Sequence, residues 1–228
     1  MIERGILFSA PMVRALLDGS KTQTRRAVKL PKSPDHLGQW EPADIGGDGV
    51  FTEKGELAPP MRAIWHTRTG VTLTCPYGRP GDRLWVRETW ADLEQITDGS
   101  FARQAIYRAD DIDQYGNEDE YVDVTAPDMR WRPSIHMPRW ASRILLEIVS
   151  VRVERLNAIS DDDCWAEGIE ACDGMLDDLA IIELAKRMGR TCHDAAPSYA
   201  ALWESINGAG SWDANPWVWV IEFRRTEP

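Results

Sequence analysis

The chain has 228 residues, of which 43% are hydrophobic and 28% are charged. This length fits one large domain or two small ones, and this composition excludes a chain that is disordered throughout. With 26 basic and 37 acidic residues the net charge is −11, so the field of the whole molecule repels nucleic acid. A site for RNA or a nucleotide must then be a local basic pocket.

The sequence lacks the patterns of several protein classes. No stretch approaches the ~18 apolar residues that a membrane span needs, and residues 1–4 lack the layout of a signal peptide, so we expect a soluble, cytoplasmic protein without a membrane partner. The cysteines share no CxxC spacing and the histidines no HxxxH spacing, which predicts reduced thiols, no metal and no other cofactor. P-loop, dinucleotide-binding and nucleophile-elbow motifs are also missing.

The predicted elements begin with a short strand at residues 6–8 and a helix that ends at Gly19, with Ser9 as its N-cap. Residues 30–78 are rich in proline and glycine and are predicted to form a long, partly ordered insertion. A strand with one polar face follows at residues 83–90.

Residues 94–130 form a second predicted insertion, acidic in its later part, with a strand near residues 121–124. A long strand is predicted over residues 144–153. Its apolar positions change parity between Ile148 and Val149, as a β-bulge requires.

A capped helix is predicted over residues 161–167 and ends at Gly168. A further helix is marked by apolar residues from 176 to 184 and closes at Gly189, and the last helix is marked by residues 199–206. A closing strand covers residues 217–223. Strands and capped helices without regular βαβ alternation predict an α+β fold around a small mixed or closed sheet.

The most distinctive polar segment covers residues 21–26 and places an amine, two hydroxyls and two guanidiniums directly after the first helix. Arg25 and Arg26 are expected to lower the pKa of Lys21, and a partly neutral lysine can take a proton from a hydroxyl. This arrangement makes Thr24 a candidate nucleophile. The alternative is a solvated basic turn.

Glu167 is the second candidate, because a carboxylate at the end of a helix faces the negative end of the helix dipole and is disfavoured there. Its side chain is either simply exposed or has a role such as proton transfer or the orientation of Lys21.

Two further groups of residues suit ligand binding. Arg83, Arg87 and Glu88 alternate with Leu84 and Val86, so the strand could present two cations and a carboxylate to a pocket. An exposed face with cross-strand ion pairs is equally consistent. Residues 131–140 combine tryptophans with arginines, which suits stacking on a base with phosphate contacts. The alternative for them is a rigid edge segment that fills core space.

Several of these features together resemble the ASCH domain, a family with a PUA-like β-barrel. They are the first strand and helix, the segment Lys21-Thr22-x-Thr24 with Arg26, the turn Gly81-Asp82-Arg83-Leu84, and the order of the elements from residue 144 to residue 223. Residues 7–12, 21–26 and 131–140 are similar to the longer ASCH proteins of bacteriophages and prophages. The resemblance implies one domain over residues 1–228, folded as a PUA-like mixed β-barrel with flanking helices and the two insertions. It also implies a location in the cytoplasm of the bacterial host if the chain is phage-encoded.

The resemblance also implies a pocket for a nucleoside or single-stranded nucleic acid beside the barrel. Small bacterial members of the family hydrolyse N4-acetylcytidine with a lysine, a threonine and a glutamate, which match Lys21, Thr24 and Glu167 here.

Three hypotheses for function follow. The first is a metal-independent amidohydrolase that acts on N4-acylated cytidine. The second is a non-catalytic reader of single-stranded RNA or a modified base, in which Lys21, Arg25 and Arg26 contact phosphate and Trp85 or Trp140 stacks on a base. The third, a ribonuclease, is disfavoured because the sequence shows no histidine pair. The predicted substrate-binding residues are Thr22, Arg25, Arg26, Arg83, Trp85, Arg87, Glu88 and Trp140.

Overall fold

The computed structural model describes residues 1–31, 37–97, 100–110, 130–172 and 174–226. In chain order the strands of these residues are β1 (Glu3–Leu7), β2 (Gln23–Ala27), β3 (Trp40–Ile45), β4 (Met61–His66), β5 (Thr72–Thr74), β6 (Arg83–Arg87), β7 (Trp90–Thr97), β8 (Ser100–Tyr107), β9 (Leu145–Arg155) and β10 (Trp217–Thr226). The α-helices are α1 (Ala10–Asp18), α2 (Asp161–Ala166), α3 (Asp178–Met188) and α4 (Ala195–Asn207). Short 3₁₀ helices cover Ser134–His136, Arg139–Ala141, Leu156–Ala158 and Ile169–Cys172.

A five-stranded sheet forms the centre of the fold, in the order β1-β6-β9-β10-β2. Strands β1 and β6 run parallel, and the other neighbours are antiparallel. Among the described strands, β1 and β2 are the two edges and do not pair with each other, so the sheet is open. The α+β class predicted from the sequence is confirmed.

Both predicted insertions contain regular structure. The stretch expected to be a partly ordered insertion at residues 30–78 contains the antiparallel sheet β3-β4-β5. Strands β7 and β8 pair as a hairpin that extends into the second insertion. The strand expected near residues 121–124 lies outside the described residues.

The predicted bulge in the longest strand is confirmed. Glu222 of β10 pairs with Ser150 and Phe223 pairs with Ile148, so Val149 is the extra residue of β9 and is 52% exposed. The extra residue lets Ile148 and Val151 both contribute to the core on either side of it.

The helices cover the sheet with apolar faces. In α1, Met12, Val13 and Leu16 are buried, and the helix ends at Gly19 in the left-handed conformation. The Ser9 side chain makes no capping hydrogen bond, contrary to the expectation from sequence. Helix α4 buries Tyr199 and Trp203. Among the described residues, no helix is long and apolar enough to cross a membrane.

The end of α2 brings two distant parts of the chain together. The Ser160 side chain caps this helix by accepting a hydrogen bond from the Asp163 amide. Glu167 is the C-cap, and Gly168 follows with φ +76°. A Cβ atom on Gly168 would lie 2.8 Å from the Cβ of Ala15 in α1 and 3.0 Å from the Cβ of Lys21. Glycine therefore permits both the backbone turn and the close packing of this corner against the segment that follows α1.

Candidate functional site

A cleft of about 400 Å³ lies beside β2 and contains all three predicted catalytic residues, Lys21, Thr24 and Glu167, in its lining. Phe8 contributes to its wall from the segment between β1 and α1, and Tyr199 and Trp203 contribute from α4. The cleft therefore combines a charged floor with aromatic walls, which suits a small planar polar ligand.

Lys21 and Glu167 form a buried ion pair in this cleft. The Lys21 Nζ donates to the Glu167 Oε2 at 3.0 Å and to the Glu167 backbone oxygen at 2.6 Å. The two side chains are only 2% and 4% exposed. This geometry confirms that the two residues meet across 146 positions of sequence, and it excludes the solvated basic turn considered for residues 21–26.

Backbone contacts fix the position of this pair. The Lys21 amide donates to the Ala15 carbonyl oxygen, and the Thr22 amide donates to the Ala166 carbonyl oxygen, both at 2.9 Å. Lys21 and Glu167 also form an isolated β-bridge. The disfavoured carboxylate at the end of α2 is thus explained by a cation that arrives from a distant part of the chain.

Arg25 belongs to the same charge cluster, with its side chain fully buried. Its guanidinium contacts Glu167 at 3.3 Å, Glu154 at 3.3 Å and Asp163 at 2.7 Å. Three carboxylates thus share one guanidinium, so Arg25 holds the cluster together. Arg25 is predicted from the sequence as a substrate-binding residue, whereas no sequence signal points to its partners Glu154 in β9 and Asp163 in α2.

Burial is the largest influence on the pKa of Lys21, and the resulting pKa is below the ordinary value. The charge and hydrogen bond of Glu167 oppose this shift, and Arg26 adds a smaller lowering effect. The expected lowering of this pKa by Arg26 is therefore present, but desolvation by burial is the larger cause. Burial also raises the pKa of Tyr199 well above its ordinary value, so this phenol stays protonated.

Thr24 is 4% exposed, and its hydroxyl forms no hydrogen bond with any residue that the structure describes. An ammonium carries three N–H donors, and both hydrogen bonds of the Lys21 Nζ go to Glu167. One N–H position of Lys21 is therefore left for Thr24 or for a ligand.

The other predicted binding residues lie outside the lining of the cleft. Thr22 is exposed and takes part through its backbone. Arg83, Trp85 and Arg87 alternate along β6 with buried Leu84 and Val86, and the Arg87 guanidinium stacks on Trp85 at 5.2 Å.

Glu88 and Trp140 also lie elsewhere. Glu88 is buried in an ion pair with Arg143, whose Nε lies 3.0 Å from the Glu88 Oε1. Trp140 is 48% exposed and packs edge-on against Trp90 at 5.6 Å. The structure thus gathers five of the predicted residues in the cleft, namely Lys21, Thr24, Arg25, Arg26 and Glu167.

Sequence reasoning missed the aromatic walls of the cleft. Tyr199 and Trp203 are four residues apart, a spacing that predicts only a helix with both residues on one face. Both side chains are buried, and both also line the cleft. Helical spacing alone does not distinguish a residue that is only in the core from one that also lines a cleft.

A larger cavity of about 530 Å³ lies between β1 and the sheet β3-β4-β5. Its buried carboxylate, Asp82, accepts hydrogen bonds from the Ile2 amide and the Arg4 guanidinium. Burial raises the pKa of the Cys75 thiol in its wall to about 11, which keeps this thiol un-ionised. We therefore place the candidate site in the smaller cleft. Across the described residues, no group of His, Cys, Asp and Glu side chains could hold a metal ion.

No family model, no curated protein and no solved structure matches this chain. The functional assignment therefore depends on the geometry and chemistry of the cleft.

Proposed function

We propose that the protein is an ASCH-type amidohydrolase with a PUA-like fold, which binds a modified cytidine and removes the acyl group from its N4 nitrogen. The observation that carries the proposal is the buried pair Lys21–Glu167 in one cleft with Thr24. A buried lysine of lowered pKa that shares a cleft with a hydroxyl lacking a hydrogen-bond partner is an arrangement that can activate a nucleophile.

The first step forms a bond between the Thr24 Oγ1 and the carbonyl carbon of the acyl group. The hydroxyl proton moves to the Lys21 Nζ, for which lysine must be neutral, and burial favours this neutral form. The resulting ammonium stabilises the oxyanion of the tetrahedral intermediate.

The intermediate then collapses with cleavage of the bond between the carbonyl carbon and N4. The bonding electron pair stays on N4, which takes up the proton that Glu167 relays from Lys21. Water next attacks the carbonyl carbon of the acyl ester on Thr24 and gives one proton to Lys21. The bond between this carbon and the Thr24 Oγ1 then breaks, Lys21 returns the proton to the Oγ1, and the acid leaves. The balance is one amide and one water converted to one carboxylic acid and cytidine.

The donors of the cleft support a ligand with hydrogen-bond acceptors. The Lys21 Nζ has one N–H position without a partner, and the Nη1 of Arg26 makes no hydrogen bond with the described residues. The cleft volume also lies in the range of about 300–1,000 Å³ that is usual for small-molecule sites.

The test is the release of cytidine from N4-acetylcytidine by the purified protein, measured by chromatography. We expect Thr24→Val and Lys21→Met to abolish release. Thr22→Val is the matched control, because Thr22 is exposed and lies outside the cleft lining, and it should leave release unchanged. Release that survives Thr24→Val would overturn the assignment of the nucleophile.

A non-catalytic reader is the second candidate. One observation favours it, since the Lys21 Nζ directs both of its hydrogen bonds at Glu167. A reader should bind N4-acetylcytidine without releasing cytidine, so the same assay separates the two functions. Among the described residues no histidine lines the cleft, and no observation favours a ribonuclease.

A further inference from the structure

Arg26 is the cation of the cleft that has no carboxylate partner among the described residues. Its Nη2 donates to the Leu7 carbonyl oxygen at 2.6 Å, and its guanidinium carbon lies 5.2 Å from the centre of the Phe8 ring. Its Nε is buried without a hydrogen-bond partner. The neighbouring Arg25, by contrast, contacts three carboxylates.

The half-buried guanidinium of Arg26 has no counter-charge among the described residues, although the chain has 37 acidic and 26 basic residues. Removing such a group from water is costly unless an anion or an acceptor compensates it. The Leu7 contact and the stacking on Phe8 hold the guanidinium plane in place and leave its Nη1 for another partner, whereas its Nε is closed off from solvent. The planar fork of an arginine matches the oxygens of a phosphate group.

Arg26 lies two positions after Thr24 on β2, and both residues line the cleft. Residues at this spacing point to the same face of a strand and are about 6.6 Å apart along it. A ligand whose reactive end contacts Thr24 therefore extends along the strand toward Arg26.

We infer that the cleft binds a nucleotide in preference to a nucleoside, with a phosphate group of the ligand held by Arg26. This inference rests on the proposed function for the nucleoside part of the ligand. The phosphate can belong to a mononucleotide or to a phosphodiester of a single strand, because both present the same oxygens to a guanidinium.

The test compares the binding of cytidine, cytidine 5′-monophosphate, cytidine 3′-monophosphate and the dinucleoside phosphate cytidylyl-adenosine by calorimetry. A charge-assisted hydrogen bond predicts that at least one phosphorylated ligand binds about 10- to 100-fold more tightly than cytidine. The phosphorylated ligand that gains most identifies the source of the phosphate.

Three variants separate Arg26 from general charge effects. Arg26→Gln should reduce the preference for phosphate to about one, and Arg26→Lys should keep part of it because the cation remains. Arg83→Gln is the matched control, since Arg83 is also half-buried with an unpartnered Nε but lies outside the cleft lining. It should leave the preference unchanged.

Equal affinities for cytidine and all phosphorylated ligands would overturn the inference, as would a preference that survives Arg26→Gln or the absence of any binding. The proposed function fails in a different way. A phosphate preference that depends on Arg26, without release of cytidine from N4-acetylcytidine or its monophosphates, would support the phosphate site and refute the hydrolase.

Discussion

Replacement of Glu167 by glutamine should destabilise the protein strongly, because this carboxylate is the counter-charge of two buried cations. It contacts Lys21 at 3.0 Å and Arg25 at 3.3 Å, and the side chains of all three residues are 4% exposed or less. Removal of one member of a buried ion pair typically costs about 3–5 kcal/mol. Since Arg25 keeps its contacts with Asp163 and Glu154, we place the free-energy loss at about 3 kcal/mol near neutral pH.

The loss should depend on pH in a defined direction. In the folded protein the pKa of Lys21 is below its ordinary value, so the unfolded chain binds more protons and stability rises with pH between the two pKa values. The charge of Glu167 is the largest influence that raises this pKa. Without this charge the pKa of Lys21 in the folded protein falls further, so the pH range over which stability depends on Lys21 extends to lower pH. Within that added range the variant loses up to about 1.4 kcal/mol of unfolding free energy for each pH unit of decrease.

Urea denaturation at several pH values, followed by tryptophan fluorescence, measures these free energies. Glu3→Gln is the control, because Glu3 pairs with Arg139 at 3.0 Å and both side chains are about 40% exposed. Its loss should stay below about 1 kcal/mol. If Glu167→Gln costs no more than Glu3→Gln, or if its cost is the same at all pH values, the buried pair does not have the role assigned to it.

Three further outcomes are expected. In urea denaturation, Gly168→Ala should lower the free energy of unfolding more than Gly189→Ala. A Cβ at position 168 would lie 2.8 Å from the Cβ of Ala15, while a Cβ at position 189 meets nothing within 4 Å, and both variants share a strain of about 1–3 kcal/mol from their positive φ. Equal costs would contradict the close packing around Gly168. Thr24→Val should change the free energy of unfolding by less than about 1 kcal/mol, because its hydroxyl has no partner among the described residues, and a larger loss would point to a structural role. In thiol labelling of the native protein at pH 8, exposed Cys192 should react first. The other three thiols should react only slowly, because they are partly or fully buried and their pKa is raised. Rapid labelling of more than one thiol would contradict their burial.

Local signals in the sequence predict much of the fold. The parity change at Val149 predicts the bulge of β9, and the pattern from Ser160 to Gly168 predicts α2 and its glycine end. These features depend on neighbouring residues, whose propensities and hydrogen bonds operate without the rest of the chain. The parallel pairing of β1 with β6 is a long-range contact and has no such local signal.

The site divides in the same way. The position of Glu167 at a helix end suggested a role such as the orientation of Lys21, and the resemblance matched both residues to one site. No local signal across the 146 positions that separate them predicts their contact. Alternation along β6 correctly predicts two different faces for this strand, but it does not tell which face is near the cleft. Its polar face, which carries Arg83 and Arg87, lies outside the cleft lining.

The position of the ligand is the most direct test of the account, and a crystal structure of the protein with cytidine 5′-monophosphate measures it. We predict that the pyrimidine lies in the cleft with N4 beside Thr24 and Glu167, and that the phosphate contacts Arg26. A nucleotide bound instead in the cavity around Arg4 and Asp82, or a pyrimidine that does not reach Thr24, would contradict it.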